Sequence, residues 1–265
     1  MFEGLLKGKS IVITGAASGV GRCAAELFAS HGARLICADV ALDLLEETIA
    51  AVKSAGGEAR GVACDVSKKA DVIAAVDAAV AAYGRLDVIY NNVGIPSPKT
   101  PAGALARLDE VTETQIDRLI DVNYKGVIYG CQVAVAQFRV QGGGGVIVNT
   151  ASAAGLIGWG GVLYGSTKGA VVNLTRSLAM EVAKEGIRVN SVCPGGMPTR
   201  FVTGDRGPLP DSALERMGKN HPLGQVIEPM DAANAALFLA SDLSRNCTGV
   251  NLPVDGGMSA GHAMG

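Results

Sequence analysis

Tyr164 and Lys168 stand four residues apart in the run Tyr164-Gly165-Ser166-Thr167-Lys168. On a helix that spacing puts a phenol and an ammonium on one face, where both can reach the same reactant. A free phenol titrates near pH 10, so a tyrosine acting as a base near neutral pH needs a downward shift of ~2 to 3 units, about 3 to 4 kcal/mol. A neighbouring ammonium works in that direction by favouring phenolate. The same pattern also arises on exposed helix surfaces, so its setting decides its meaning. Ser152 ends the apolar run GVIVNTAS twelve residues before Tyr164, and its hydroxyl can hydrogen-bond a substrate oxygen and steady developing alkoxide charge. Asn123, in DVNYKG, is a polar residue inside a helical pattern, a position that calls for a partner or a function. A water held there can relay protons to Lys168.

A second group of residues has the chemistry of a nucleotide site. Gly15, Ser18, Gly19, Val20 and Gly21 lie in TGAASGVG, between the first apolar run and the first helical stretch. Glycines there let the backbone approach a pyrophosphate, whose charge is met by the free N–H groups of a helix start. The spacing is G-x-x-x-G-x-G rather than the more widespread G-x-G-x-x-G. Asp39 follows Gly21 by eighteen residues, close to the offset expected of a carboxylate that holds a ribose 2′-hydroxyl. With Val40 beside it and no Arg or Lys adjacent, the pattern favours NAD over NADP. Capping of the next helix is the other reading of Asp39. Asp65 and Val66 close the third run, and Asn92 and Gly94 close the fourth, on the same expected sheet edge. A positive nicotinamide ring at this site would join Lys168 in lowering the phenol pKa.

The elements needed to position these residues are visible in the patterning. Short, continuously apolar runs (SIVITG, ARLICAD, LDVIYNN, GVIVNTAS, IRVNSVCP) alternate with Ala-rich amphipathic stretches, as in a parallel sheet covered on both faces. We expect a single α/β domain over residues 1–265: a Rossmann-like, doubly wound sheet of seven parallel strands with helices on both faces. One long helix is expected from about Glu113 to Arg139 and another from about Val162 to Glu185. Two irregular stretches follow expected strand ends, at 95–108 and 196–223, and the second is expected to form a substrate lid. The chain is 48% apolar and 18% charged with a net charge of −2, which supports a large core and argues against a nucleic-acid partner. No run reaches the ~18 apolar residues of a membrane span, and no secretory leader pattern opens the chain, so the cytoplasm is the expected location. Six scattered cysteines and three histidines lack ligand-like spacing, and no metal site is expected.

Taken together, TGAASGVG, Asp39, Asp65-Val66, NNVG at 91–94, Asn123, Ser152, the Tyr164/Lys168 pair, PGGMPT at 194–199 and VDGG at 254–257 resemble the classical short-chain dehydrogenase/reductase (SDR) family, over essentially the whole chain. The resemblance implies that Ser152 positions substrate, Tyr164 transfers the proton, Lys168 holds the nicotinamide ribose and Asn123 anchors a relay water. It also implies that Pro194, Gly195, Met197 and Thr199 pack on the nicotinamide. A homotetramer, or a homodimer, follows from the family, with the two long helices as dimer faces. Val93 stands where the family usually has alanine, and the Ser152 to Tyr164 interval is one residue shorter than typical.

The leading reading is an NAD-dependent oxidoreductase for a hydrophobic secondary alcohol, such as a hydroxysteroid, a cyclic or terpenoid alcohol, or a dihydrodiol, and its ketone. NTASAAG and HPLG at 221–224 resemble NAD-dependent members that oxidise cyclic diols. Candidate pocket residues are Pro96, Ala153, Ala154, Leu156, Trp159, Met197 and Phe201, although apolar residues also serve simply as core. The alternatives are an NADPH-linked 3-ketoacyl-thioester reductase and a noncatalytic cofactor-binding protein on the same fold.

Overall fold

The computed structural model describes residues 3–101, 103–204 and 207–261; Asp205 and Arg206 of the expected lid, and His262, lie outside the described residues. The chain runs β1 (Ser10–Thr14), α1 (Gly19–Ser30), β2 (Arg34–Asp39), α2 (Leu42–Ser54), β3 (Glu58–Ala63), α3 (Lys69–Tyr83) and β4 (Val88–Asn91). It continues with α4 (Glu113–Ile120), α5 (Gly126–Gln141), β5 (Gly145–Thr150), α6 (Val162–Val182), β6 (Ile187–Pro194), α7 (Arg200–Thr203), α8 (Asp211–Gly218), α9 (Pro229–Ala240) and β7 (Asn251–Val254).

The seven strands form one parallel sheet in the order β3-β2-β1-β4-β5-β6-β7. The apolar runs alternate between two cores. Ile11 and Ile13 of β1 pack with Phe28, Ile49 and Ala236 on the face covered by α1, α2 and α9. Val12 faces the other way, among Val76, Val135 and Val171 from α3, α5 and α6. The inner strands are thus apolar on both sides because both sides are covered, whereas the edge strand β3 (EARGVA) is largely exposed. The chain leaves β1 toward β2 and β3, then returns to lay β4 on the other side of β1, so the winding reverses between β1 and β4. Open α/β sheets bind ligands in the crevice at the strand C-termini beside such a reversal. Thr14 pairs with Ala38 and Asn91, and Asn91 with Asn149, across this edge.

The long helix expected over 113–139 is interrupted. Residues Asp121–Lys125 make a π turn between α4 and α5, and Asn123 sits inside it. The signal for helix was correct, but an extra residue per turn leaves no trace in apolar periodicity; such turns often mark functional sites. The second long helix ends at Val182 and passes through a 3₁₀ turn, Ala183–Glu185, to Gly186 at φ 71°, a left-handed position that suits glycine. The expected lid carries two short helices, α7 and α8. No described helix is long and apolar enough to cross a membrane.

Candidate active site

A cavity of about 480 Å³ opens along the C-terminal edge of the sheet, from Asp39 and Asp65 at one end to Trp159 and Phe201 at the other. This is within the usual size of small-molecule sites.

At the nucleotide end, backbone crowding accounts for the glycines. A Cβ on Gly21 would lie 1.9 Å from the Gly15 carbonyl oxygen, and Gly15 itself takes φ 72°. The first turn of α1 has no acidic residue, and Ser18 makes no side-chain capping bond, so its N–H groups are available to an anion. Asn92 fastens the turn: its Nδ2 donates to the Thr14 and Gly15 carbonyls, each at 3.3 Å. Asp39 ends β2 and is not the N-cap of α2, a place held by Ala41. Asp39 lines the cavity, while Oδ2 accepts from the Ala17 N–H and Oδ1 from the Ala41 N–H, both at 3.0 Å. A carboxylate has about four lone-pair sites, so acceptor capacity remains on each oxygen. Val40, Asp65, Val66, Asn92 and Gly94 share the lining with Ser18, Gly19 and Val20. Asp65 accepts from Ser67, and this bond, reinforced by Lys68 and Arg118, holds its carboxyl below the usual range. The residues fit a dinucleotide: an amide cradle for phosphates, a carboxylate at the second strand end, and a mostly apolar channel between them.

At the other end, Ser152 leaves β5 and caps a 3₁₀ turn, its Oγ accepting from the Ala154 N–H at 3.1 Å and donating to the Pro194 carbonyl at 3.4 Å. Lys168 is 1% exposed, and its Nζ donates to the Thr150 carbonyl at 2.8 Å and lies 5.8 Å from the centre of the Tyr164 ring. Burial pushes Tyr164 up to about 12, against a hydrogen bond with Ser152 that pulls it down. Burial pulls Lys168 down to about 8. Among the protein's own groups, then, desolvation outweighs the Ser152 hydrogen bond, and the phenol shifts upward, opposite to the lowering expected from Lys168. Burial penalises the charged phenolate, and one hydrogen bond does not offset that cost.

Asn123 is fully buried, and its side chain is already committed. Oδ1 accepts from the Ile95 N–H at 2.7 Å, and Nδ2 donates to the Ile95 carbonyl at 2.9 Å. The amide ties the π turn to the strand β4 exit; a relay water here would have to use main-chain groups freed by the π turn. Gly94 brings the groups together, since a Cβ on it would lie 3.4 Å from Lys168 Nζ and 3.6 Å from Asn123 Oδ1.

Pro194, Gly195, Met197 and Thr199 line the same cavity, as do Pro96, Trp159 and Phe201. Ala153, Ala154 and Leu156 are not among its lining residues. Ala153 and Ala154 are buried in the 3₁₀ turn behind Ser152, and Leu156 packs on the core under α6. A turn this short points its small apolar residues inward, which composition does not distinguish from a pocket wall. Several lining residues were missed: Ser97, Lys99, Leu105, Arg118 and Val202. They come from irregular segments or a helix flank and follow no period. Lys99 adds a cation to this otherwise largely apolar wall, and its Nζ donates to the Val202 carbonyl at 3.2 Å. Phe201 packs on Tyr164, ring centres 5.5 Å apart at 58°. Among the described residues no group of three or more His, Cys, Asp or Glu could hold a metal ion.

The comparisons with known proteins agree with this geometry. A family model described as enoyl-(acyl carrier protein) reductase matches residues 15–259. Tropinone reductase-like 1 of Erythroxylum coca is 38% identical over 256 residues, 96% of this chain and 91% of that protein. The 3beta-hydroxysteroid dehydrogenase 2 of Eggerthella lenta is 38% identical over 261 residues, 97% and 96% of the two chains. A crystal structure of levodione reductase superposes with a TM-score of 0.88 at 33% identity, covering 97% of this chain and all of the other. The chain belongs to the short-chain dehydrogenase/reductase family, oxidoreductases that use a nicotinamide cofactor.

Proposed function

We propose that the protein is an NAD-linked dehydrogenase for a hydrophobic, ring-bearing secondary alcohol, working reversibly on the ketone. The observation that carries this reading is one continuous cavity with Asp39 at one end and Ser152, Tyr164 and Lys168 at the other. Bound nicotinamide supplies the hydride acceptor for the carbinol carbon, or the donor for the carbonyl carbon. Ser152 holds the substrate oxygen. Tyr164 as phenolate takes the hydroxyl proton in oxidation and, protonated, returns it in reduction. Lys168 binds the nicotinamide ribose and passes charge and protons to the phenol, with the π turn at Asn123 as the outer station. Pro194, Gly195, Met197 and Thr199 hold the nicotinamide in place. Since burial alone drives the phenol pKa up, a working base depends on the positive charge brought in with oxidised cofactor.

Asp39 supports NAD: a carboxylate there accepts from a ribose hydroxyl and repels a 2′-phosphate. Arg118 on the neighbouring wall is the cation that could offset it, but its charge already bears on Asp65. The apolar wall of Trp159, Met197, Leu105 and Phe201 supports a bulky hydrocarbon skeleton, and the names of the hydroxysteroid and ketone enzymes among the relatives point the same way. We take the described residues 196–204 and 207–223 as the lid over this end. For assembly we take the family homotetramer, with α5 and α6 at subunit contacts, where Val140 and Met180 are exposed; a monomer by light scattering would remove that part. The test of function is absorbance at the reduced-nicotinamide band with steroid, terpene, cyclic-diol and aryl-alkyl alcohols, each with NAD and with NADP. Turnover with NAD on cyclic alcohols is expected. Oxidation of NADPH by 3-ketoacyl thioesters, with no turnover of any alcohol on NAD, would replace this reading with the biosynthetic reductase.

A further inference from the structure

His221 is 2% exposed and lies behind the cavity wall. It follows α8, and its Nδ1 is 2.9 Å from the Gln225 carbonyl. A carbonyl only accepts, so Nδ1 donates here and Nε2 lies on the far side of the ring. That Nε2 is buried with no hydrogen-bond partner among the described residues. A buried polar atom left without a partner calls for a reason.

The reason lies in what the imidazole touches. Its Nε2 is 2.8 Å from where a Cβ on Gly195 would stand, and its own Cβ is 2.9 Å from where one on Gly256 would stand. Gly195 follows β6 and lines the cavity; Gly256 follows β7, where its carbonyl accepts from the Leu223 N–H at 3.0 Å. The ring therefore fills the space between two strand-end turns that lack side chains of their own. Gly195 is the last residue before the lid, and His221 comes just after the lid's second helix. The two feet of the lid are in contact through this ring.

We propose that His221 is a positioning residue. It wedges the turn Pro194–Met197 against the cavity and closes the base of the lid, thereby fixing the wall that faces the nicotinamide. The inference rests on the nicotinamide reading above. Its consequence is selective: the nicotinamide half of the cofactor depends on His221, and the adenine half, held by the glycine turn and Asp39, does not. A role confined to overall stability would affect both halves alike.

The experiment is equilibrium binding of NADH and of ADP-ribose, which lacks the nicotinamide, to wild type, His221→Ala and His221→Asn, with melting temperatures in parallel. Asn can reach Gln225 through its amide but leaves the Nε2 space empty. The NADH dissociation constant is expected to rise about tenfold in His221→Ala and less in His221→Asn, with ADP-ribose within about twofold in both. Equal losses for the two ligands, or none for either, would overturn the proposal. If His221→Ala does not fold, His221→Asn decides alone by the same comparison. Wild type that binds neither ligand would overturn the cofactor reading itself; wild type that binds both while the variants show no selectivity overturns only the role of His221.

Discussion

At the nucleotide end of the cavity the polar side chains are tied to main chain: Asp39 to Ala17 and Ala41, Asn92 to Thr14 and Gly15. At the other end, contacts among the described residues include Lys99 to the Val202 carbonyl, Ser97 to the Gly160 carbonyl, and Phe201 against the Tyr164 ring, so two loops, α6 and α7 meet there. The first end is a fixed cradle whose residue types follow from backbone geometry. The second is a wall whose residue types are open to change. One scaffold can thus keep its cofactor chemistry while its substrate varies, because the two requirements fall on separate stretches of chain.

Lys168 sits where the two ends meet, and its replacement should give the largest effect. Lys168→Met should lower turnover by about a thousandfold while stabilising the fold by ~1 to 3 kcal/mol at pH 7, since a lysine held near pH 8 pays to stay charged below that pH. The sign can be checked against pH. Between about 8 and the ordinary lysine value near 10.4 the unfolded chain holds the proton and the folded one does not, so wild-type stability rises and the gap to the variant narrows. Urea titrations at pH 7 and 9.5 measure it. A variant less stable than wild type at both values would mean that the bond to Thr150 outweighs the desolvation.

A smaller effect is expected at the cradle. Asp39→Ala should cut the preference for NAD over NADP by ~1 to 3 kcal/mol and, by orphaning two amides, cost about 1 kcal/mol of stability. Asp39→Asn keeps an acceptor for one amide and should recover stability more than selectivity. An unchanged NAD/NADP ratio in both would leave Asp39 with its structural role alone. The smallest effect is expected at the mouth: Phe201→Ala should raise KM for ring-bearing alcohols by about tenfold or less, with little change for a small acyclic alcohol. Emission from Trp159, the only tryptophan in the chain, follows binding without turnover. Equal losses on all substrates would place Phe201 in support of Tyr164 and not against substrate.

The same division governs what could be read from sequence. The cradle was legible because steric need fixes residue type and spacing together: Gly15, Gly19 and Gly21 in one turn, Asp39 at a set distance. The convergence of Ser152, Tyr164 and Lys168 on one cavity was legible through a helical interval and a strand end. The π turn around Asn123 was not, since one added residue does not disturb an apolar stripe, and the commitment of its amide to Ile95 depends on a contact 28 residues away. Lys99, Leu105 and Val202 reach the cavity through loop paths without periodicity. Ala154 and Leu156 were misplaced because pocket and core draw on the same apolar residues. His221 stood out in the sequence only as one of three scattered histidines and as part of HPLG, and its position between two glycines appears only in three dimensions.

The most direct test compares wild type with Tyr164→Phe in two measurements made side by side, NADH affinity and turnover of a responsive cyclic alcohol across pH. Burial places the phenol high, and oxidation needs phenolate, so wild-type oxidation should rise with pH while ketone reduction falls. Tyr164→Phe should bind NADH within about twofold of wild type and lose turnover by about a thousandfold in both directions. Turnover within about tenfold of wild type, with the same pH dependence, would contradict Tyr164 as the proton-transfer residue and with it the mechanism proposed for this site.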